Sequence, residues 1–146
     1  MLLVAVLAAL GVAAGPDDAA VTVIVGATLV DGGGRPPVAD SVVVLRGAVI
    51  AAVGDRVHTP IPKGAALMDG RRSWVAPAPG EATPGITLTR AIAGIVHGPS
   101  ARVQIGQPAH LALLDADPRR DDGAPARVRR LWISGRSREL ATETVR

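Results

Sequence analysis

The three histidines of this chain are the side chains best suited to metal binding or to proton transfer near neutral pH. They lie at His58, His97 and His110, so no two have the His-x-His or His-x-x-x-His spacing that brings two imidazoles to one metal ion. We therefore expect separate structural histidines. His97 suits the end of a helix, because a cation near a helix C-terminus is favourable.

An acidic run in the second half is the other candidate for chemistry, and it comprises Asp115, Asp117, Asp121 and Asp122. Paired carboxylates can hold Ca²⁺ or Mg²⁺. The pattern Asp-x-Asp-Pro is more typical of a turn whose carboxylates accept backbone hydrogen bonds, and we favour that interpretation. No serine stands in a Gly-x-Ser-x-Gly elbow, and the glycines at 32–34 lack the Gly-Lys-Ser/Thr of a phosphate loop. These patterns predict no catalytic, cofactor-binding or metal-binding residue.

The composition predicts one globular, strand-rich domain. Of 146 residues, 48% are apolar and 20% charged, a balance that argues against disorder. The sequence has no Phe, Tyr or Cys, so disulfides are excluded and the core must consist mainly of Val, Leu, Ile and Ala, of which Val and Ile favour strands. The net charge of +3 comes without the stacking aromatics of nucleic-acid-binding proteins, and we expect no nucleic-acid partner.

The N-terminal run 1–14 is uninterrupted by any charged or polar side chain. It is too short for a membrane span, which needs roughly 20 apolar residues. Its length and the small residues at 12–14 predict a signal peptide over 1–15 and export to the periplasm or the cell exterior. The alternative is a buried N-terminal helix or strand, in which case the protein would be cytoplasmic.

The remaining chain divides into two strand-rich halves at a Pro/Gly-rich stretch, WVAPAPGEATPG, that begins at Trp74. The first half is predicted to form a β-meander, with Gly47 at a tight hairpin turn. The second half is predicted to begin with a helix at 86–97, to which apolar residues at helical spacing give one face. The predicted strands are 21–25 continuing past a bulge at Gly26 to 30, then 41–45, 48–53, 66–68, 73–75, 111–114 and 127–133, the last followed by a turn at 134–135.

Three long segments together resemble the amidohydrolase superfamily, in particular the imidazolonepropionase-like metal-dependent hydrolases. VIVGATLVDGGGRPPVADSVVVLRGAVIAAVG and ALMDGRRSWVAPAPG resemble the opening of such enzymes, and GPSARVQIGQPAHLALLDADP resembles their closing stretch. The resemblance implies a mainly β composite sandwich or incomplete barrel over 21–138, with one helix near 86–97 and a tail at 139–146. It assigns 21–76 to the N-terminal half, 77–85 to the join and 86–138 to the C-terminal half. The catalytic TIM barrel that the family inserts between the halves is missing.

In that family the activity is metal-dependent hydrolysis of carbon–nitrogen bonds other than peptide bonds, with zinc or another divalent ion. The resemblance places His-x-His after Pro79-Gly80, but this chain has none there or elsewhere, and His110 stands where the family usually has Asp. Lys63 precedes the join and cannot correspond to the barrel lysine. We therefore expect a truncated protein that is inactive alone, a pseudoenzyme.

Two other functions stay open at this point. The chain is either a non-catalytic subunit of a split amidohydrolase, whose barrel is on a partner chain, or a binding module that self-associates. In both cases the predicted docking surface is the apolar helix face formed by Leu88, Ile92 and Ile95.

Overall fold

The computed structural model describes residues 20–32, 35–80, 92, 102–120 and 126–139. The predicted signal peptide lies outside these ranges, as do His97 and all of the predicted helix 86–97 except Ile92, which is helical. Within the described ranges, no helix has the length and apolar character that a membrane crossing requires. The predicted domain limits lie partly outside these ranges and stay a prediction.

Nine strands are the predominant regular structure of the described chain, which confirms the mainly β fold. The β-branched residues that dominate the buried strands pack well on a pleated surface. The strands are β1 (Val21–Val25), β2 (Thr28–Leu29), β3 (Ser41–Arg46), β4 (Val49–Asp55), β5 (Ala66–Asp69), β6 (Trp74–Pro77), β7 (Leu111–Leu114), β8 (Val128–Ile133) and β9 (Arg136–Glu139).

The strands of the first sheet all come from residues 21–69 and have the order β4-β3-β1-β5. Strand β3 pairs antiparallel with both β1 and β4, and β5 pairs parallel with β1. The predicted hairpin between β3 and β4 is confirmed, with Gly47 at a φ of +57°. A positive φ at this position is the conformation that the tight turn needs.

The second sheet contains strands from both halves of the chain, in the order β2-β6-β7-β8-β9. Strand β6 begins the Pro/Gly-rich stretch and pairs antiparallel with β7, from Trp74 opposite Leu114 to Pro77 opposite Leu111. On its other side β6 runs parallel to β2. The start of this stretch is therefore an interior strand of the sheet.

The predicted meander is wrong in its connections. The chain leaves the first sheet after β1 to form β2 in the second sheet, and it makes the same crossing again between β5 and β6. Because both crossings run in the same direction, β5 lies parallel to β1 and β6 lies parallel to β2. The segment after Gly26 therefore does not continue β1, because it pairs with β6 in the second sheet. Ala27 and Leu29 of this segment are buried in the core between the two sheets.

The two open sheets enclose a core that both halves of the chain supply. Trp132 and two leucines of β7, Leu111 and Leu113, meet residues of β1, β3 and β4 there. The main core cluster consists of Ile24, Ala27, Leu29, Val43, Leu45, Ile50, Val75, Val103, Ala109, Leu111, Leu113 and Trp132.

The outer face of the second sheet carries a separate apolar cluster that includes Ile92. This residue is 1% exposed and packs in a cluster with Ala76, Ala112 and Leu114. Ile92 therefore packs against its own chain, while Leu88 and Ile95 lie outside the described residues. Docking of a partner through the helix face stays a prediction.

Candidate functional site

His58 lies in the loop after β4 and is paired with a neighbouring carboxylate. Its Nδ1 is 2.8 Å from each carboxylate oxygen of Asp55, and its backbone N–H donates to Asp55 Oδ1 at 2.8 Å. The imidazole is 80% exposed. The hydrogen bond from the His58 side chain holds the pKa of Asp55 below its usual value. This arrangement is a capped surface turn, in which one carboxylate satisfies two donors.

His110 has a different role, at the place where the first half of the chain leaves β6. Its Nδ1 accepts a hydrogen bond from the backbone N–H of Ser134 at 3.1 Å, and its carbonyl accepts from Ala78 N–H at 3.0 Å. The ring lies over Gly80 so closely that a Cβ on Gly80 would stand 2.7 Å from Nε2. His110 therefore joins the end of β6 to the turn between β8 and β9.

The acidic turn after β7 has the backbone-fixing geometry that the sequence predicts. Asp115 Oδ1 accepts from the backbone N–H of Arg127 at 2.7 Å, and Asp117 Oδ1 accepts from the backbone N–H of Arg119 at 2.9 Å. The Arg119 guanidinium also donates to Asp117 and lowers the pKa of that carboxyl. Asp121 and Asp122 lie outside the described residues.

The described side chains do not fit the divalent metal that the resemblance implies. A structural or catalytic zinc site takes three or more protein ligands. In residues 20–32, 35–80, 92, 102–120 and 126–139, no three His, Cys, Asp or Glu side chains are grouped to hold an ion. His58 and His110 each have a separate partner, namely Asp55 and the backbone of Ser134.

Two bidentate ion pairs lie on the surface near the ends of the first sheet. Arg56 Nε and Nη2 contact the carboxylate of Asp40 at 2.8–3.0 Å, and Arg71 makes the same kind of contact with Asp69. The hydrogen bonds from Arg71 lower the pKa of Asp69 to about 2. These pairs are exposed to solvent, where screening keeps such interactions weak.

A pocket of about 460 Å³ opens at one end of the sandwich, between the turn after β2, the end of β4 and the segment 103–105. Its walls are apolar, and its rim carries Asp31 and Arg35, whose Oδ2 and Nε lie 2.9 Å apart. The lining residues are Leu29, Asp31, Arg35, Pro36, Val38, Val53, Gly54, Val103, Gln104 and Ile105. A volume of this size is typical of small-molecule sites.

Sequence reasoning did not identify this pocket. The composition of the turn after β2 indicates only a loop, because Asp31 and Arg35 flank glycines and prolines. The pairing of Asp31 with Arg35 at a spacing of four residues was a readable signal, although such spacing is informative mainly on helices. The far wall, at Val103 and Ile105, comes from the other half of the chain and has no local signal.

Comparison with known proteins gives partial structural similarity. No protein-family model matches the chain, and no curated protein matches it. Among solved structures, molinate hydrolase aligns with 28% identity over 41% of this chain and 13% of its own, at a TM-score of 0.38. Phenylurea hydrolase B aligns with 37% identity over 40% of this chain and 13% of its own, also at 0.38. A putative prolidase from Bifidobacterium longum aligns with 22% identity over 41% and 15%, at 0.37.

These neighbours are amidohydrolase-superfamily enzymes, the superfamily that the sequence motifs resemble. The aligned region is about two fifths of this chain and 13–15% of the length of the solved enzymes. The similarity is thus local.

Proposed function

We propose that this chain is a non-catalytic, amidohydrolase-like β-sandwich protein in which the two sandwich halves are joined directly, without a catalytic barrel. The observation that carries the proposal is the pairing of β6 with β7. Four consecutive residue pairs, Trp74 to Pro77 with Leu114 to Leu111, place the two halves side by side in one sheet. This pairing supports a single composite domain whose halves complete each other.

The length of chain between these two paired strands argues against a barrel at this point. Residues 78–110 connect β6 to β7. A (β/α)₈ barrel takes roughly 200 residues or more, far above this connection. The connection also includes 102–110, part of which pairs with the first sheet, because Gly106 N–H donates to the Ile50 carbonyl at 2.9 Å.

The side-chain chemistry supports the same proposal. Amidohydrolysis needs a divalent ion that lowers the pKa of a bound water, held by His, Asp and similar ligands. The full sequence has three histidines, none at a ligand spacing, and no cysteine. His110 is engaged as a hydrogen-bond acceptor for Ser134, which suits a structural role.

Metal content and hydrolysis, measured together on the purified full chain, test this proposal. The chain is loaded with Zn²⁺ or Mn²⁺, desalted, analysed by elemental mass spectrometry and assayed on a panel containing an aryl amide, a urea and a cyclic imide. We expect well under one metal ion per chain and no turnover above that of buffer. His58→Ala is the matched control, because trace metal held by the Asp55–His58 pair would be lost in that variant.

Metal binding with turnover would overturn the proposal. One metal ion per chain, together with hydrolysis that a chelator removes and added metal restores, would show that the chain has a ligand set and is an active enzyme.

A further inference from the structure

The pocket at the end of the sandwich is lined in part by residues of the main core, and backbone hydrogen bonds connect its walls. Leu29 and Val103 belong to the buried core cluster, and Val38 and Val53 pack against it. The backbones of Leu29 and Val38 exchange two hydrogen bonds, at 2.8 and 3.0 Å. The N–H of Val103 donates to the carbonyl of Asp31 at 3.1 Å and ties the opposite wall to the rim. The apolar walls are therefore held in place by backbone pairing.

The rim of the pocket presents a cation with unused donors. Arg35 contacts Asp31 through Nε, while its side chain is 58% exposed. A guanidinium has five N–H donors in a planar fork that matches a carboxylate. Within the described residues, the contact with Asp31 is the one bond that Arg35 makes, so its terminal nitrogens are available to a ligand.

The charges at the rim favour an anion over a cation. Asp31 is 15% exposed and already contacts Arg35, so a cationic ligand would have to displace that arginine. An anion instead meets the more exposed partner of the pair. Ile105, which is 61% exposed at the rim, adds apolar surface beside the opening.

We propose that this pocket binds a small aliphatic carboxylate, with the carboxylate on Arg35 and the hydrocarbon chain against Val38, Val53 and Val103. The charge-assisted hydrogen bonds of Arg35 select the head group. The apolar walls select a chain of several carbons, because each methylene that leaves water for an apolar surface adds to the binding free energy. This inference is independent of the proposed function, since it uses neither the family's metal nor its barrel.

Titration of the full chain with octanoate, followed by ligand-observed NMR and calorimetry, tests the proposal. We expect saturable binding with one site per chain, with acetate binding much more weakly. Arg35→Gln is expected to weaken octanoate binding about tenfold or more, the range of one lost charge-assisted contact. Ile105→Ser should weaken it by a smaller factor. Arg136→Gln, an exposed arginine on β9, is the matched control and should bind like the wild type.

Octylamine and octanol distinguish the proposed site from an apolar pocket that does not select the head group. We expect octylamine to bind at least tenfold more weakly than octanoate, and octanol to be insensitive to Arg35→Gln. Equal binding of octylamine and octanoate, or unchanged octanoate binding in Arg35→Gln, would overturn the proposal. Because both altered side chains are exposed, circular dichroism should be unchanged, and a loss of binding can be assigned to the site.

Discussion

The two sheets of this protein differ in how far apart in sequence their strands lie. All strands of the first sheet lie between residues 21 and 69, and its edge strand β4 forms a hairpin with β3. The second sheet collects strands from β2 at Thr28 to β9 at Glu139 and pairs the two halves through β6 and β7. Strands β6 and β7 belong to the two different halves of the chain, so their pairing joins the halves within one sheet. The comparison suggests that the second sheet decides whether the chain folds as one unit.

The strongest test of this difference uses the two tryptophans. Trp132, on β8, is 1% exposed in the core between the sheets, whereas Trp74, on β6, is only partly buried on the outer face. We expect Trp132→Ala to lower the free energy of unfolding by about 3–5 kcal/mol, since it leaves a large cavity in a core that both sheets share. Urea denaturation followed by circular dichroism measures the change.

Trp74→Ala is the matched control, with an expected loss of about 1–2 kcal/mol because less of its surface leaves water on folding. Equal losses for the two variants would contradict the view that the central core depends on the second sheet. Two separate transitions in Trp132→Ala would show that the first sheet folds alone.

The contact between the hairpin turns of the two sheets offers a second test. Gly135, in the β8–β9 turn, stands against the carbonyl of Gly47 in the β3–β4 turn, and an added Cβ would overlap that oxygen. Gly135→Ala should therefore cost stability both through its φ of +75° and through this clash. We expect a loss of about 1–3 kcal/mol beyond that of the control variant.

Gly64→Ala is the control, because Gly64 has a nearly equal φ of +77° and nothing within 4 Å of an added Cβ. The difference between the two variants isolates the contact between the turns. If both lose the same stability in thermal melts, the turns do not couple the sheets.

A substitution at the crossover from the first sheet to the second should have a smaller effect on the free energy of unfolding. Ser41 Oγ, which is fully buried at the start of β3, donates to the Ala27 carbonyl at 2.7 Å, and this carbonyl also accepts from Ser41 N–H at 2.9 Å. Ser41→Ala removes one bond and leaves the acceptor paired, so we expect a loss of about 1 kcal/mol. Ser137→Ala on exposed β9 should change little. A loss above about 3 kcal/mol in Ser41→Ala would indicate that the hydroxyl holds the crossover in place.

The smallest expected effect lies at the exposed end of β5. The pKa of Asp69 is lowered from 3.8 to about 2, chiefly by the hydrogen bonds from the Arg71 side chain. Since the folded-state pKa is depressed, this carboxylate stabilises the fold above about pH 4, and the contribution is lost as pH falls from 4 to 2. NMR titration should show the pKa of Asp69 rising in Arg71→Gln. An unchanged pKa would mean that the ion pair does not form in solution.

The strand positions were largely predictable from the sequence. Val, Ile and Leu dominate β1, β3 and β7, and turn residues bound each of them, so the local pattern identifies these strands within a residue or two. The tight turn at Gly47 and the hydrogen-bonded turn at Asp115 and Asp117 follow from the same kind of local chemistry. These features depend on neighbours in sequence.

Strand β9 shows where that local reasoning ends. Its four residues, Arg136–Glu139, are all exposed and include no apolar side chain, so no hydrophobic pattern predicts a strand here. Backbone pairing with β8 alone makes it a strand. The assignment of strands to sheets had the same difficulty, because the burial of Ala27 and Leu29 depends on residues far along the chain.

The sequence alone therefore determined most of the strands, the tight turns and the absence of a spaced ligand set, because backbone propensity and side-chain spacing act over a few residues. The parallel pairing of β1 with β5 and of β6 with β2, the sheet that spans the Pro/Gly-rich stretch, and the pocket around Arg35 and Val103 depended on the folded chain. Each of these needs surfaces from distant segments to be buried together, and that burial is a property of the whole sandwich.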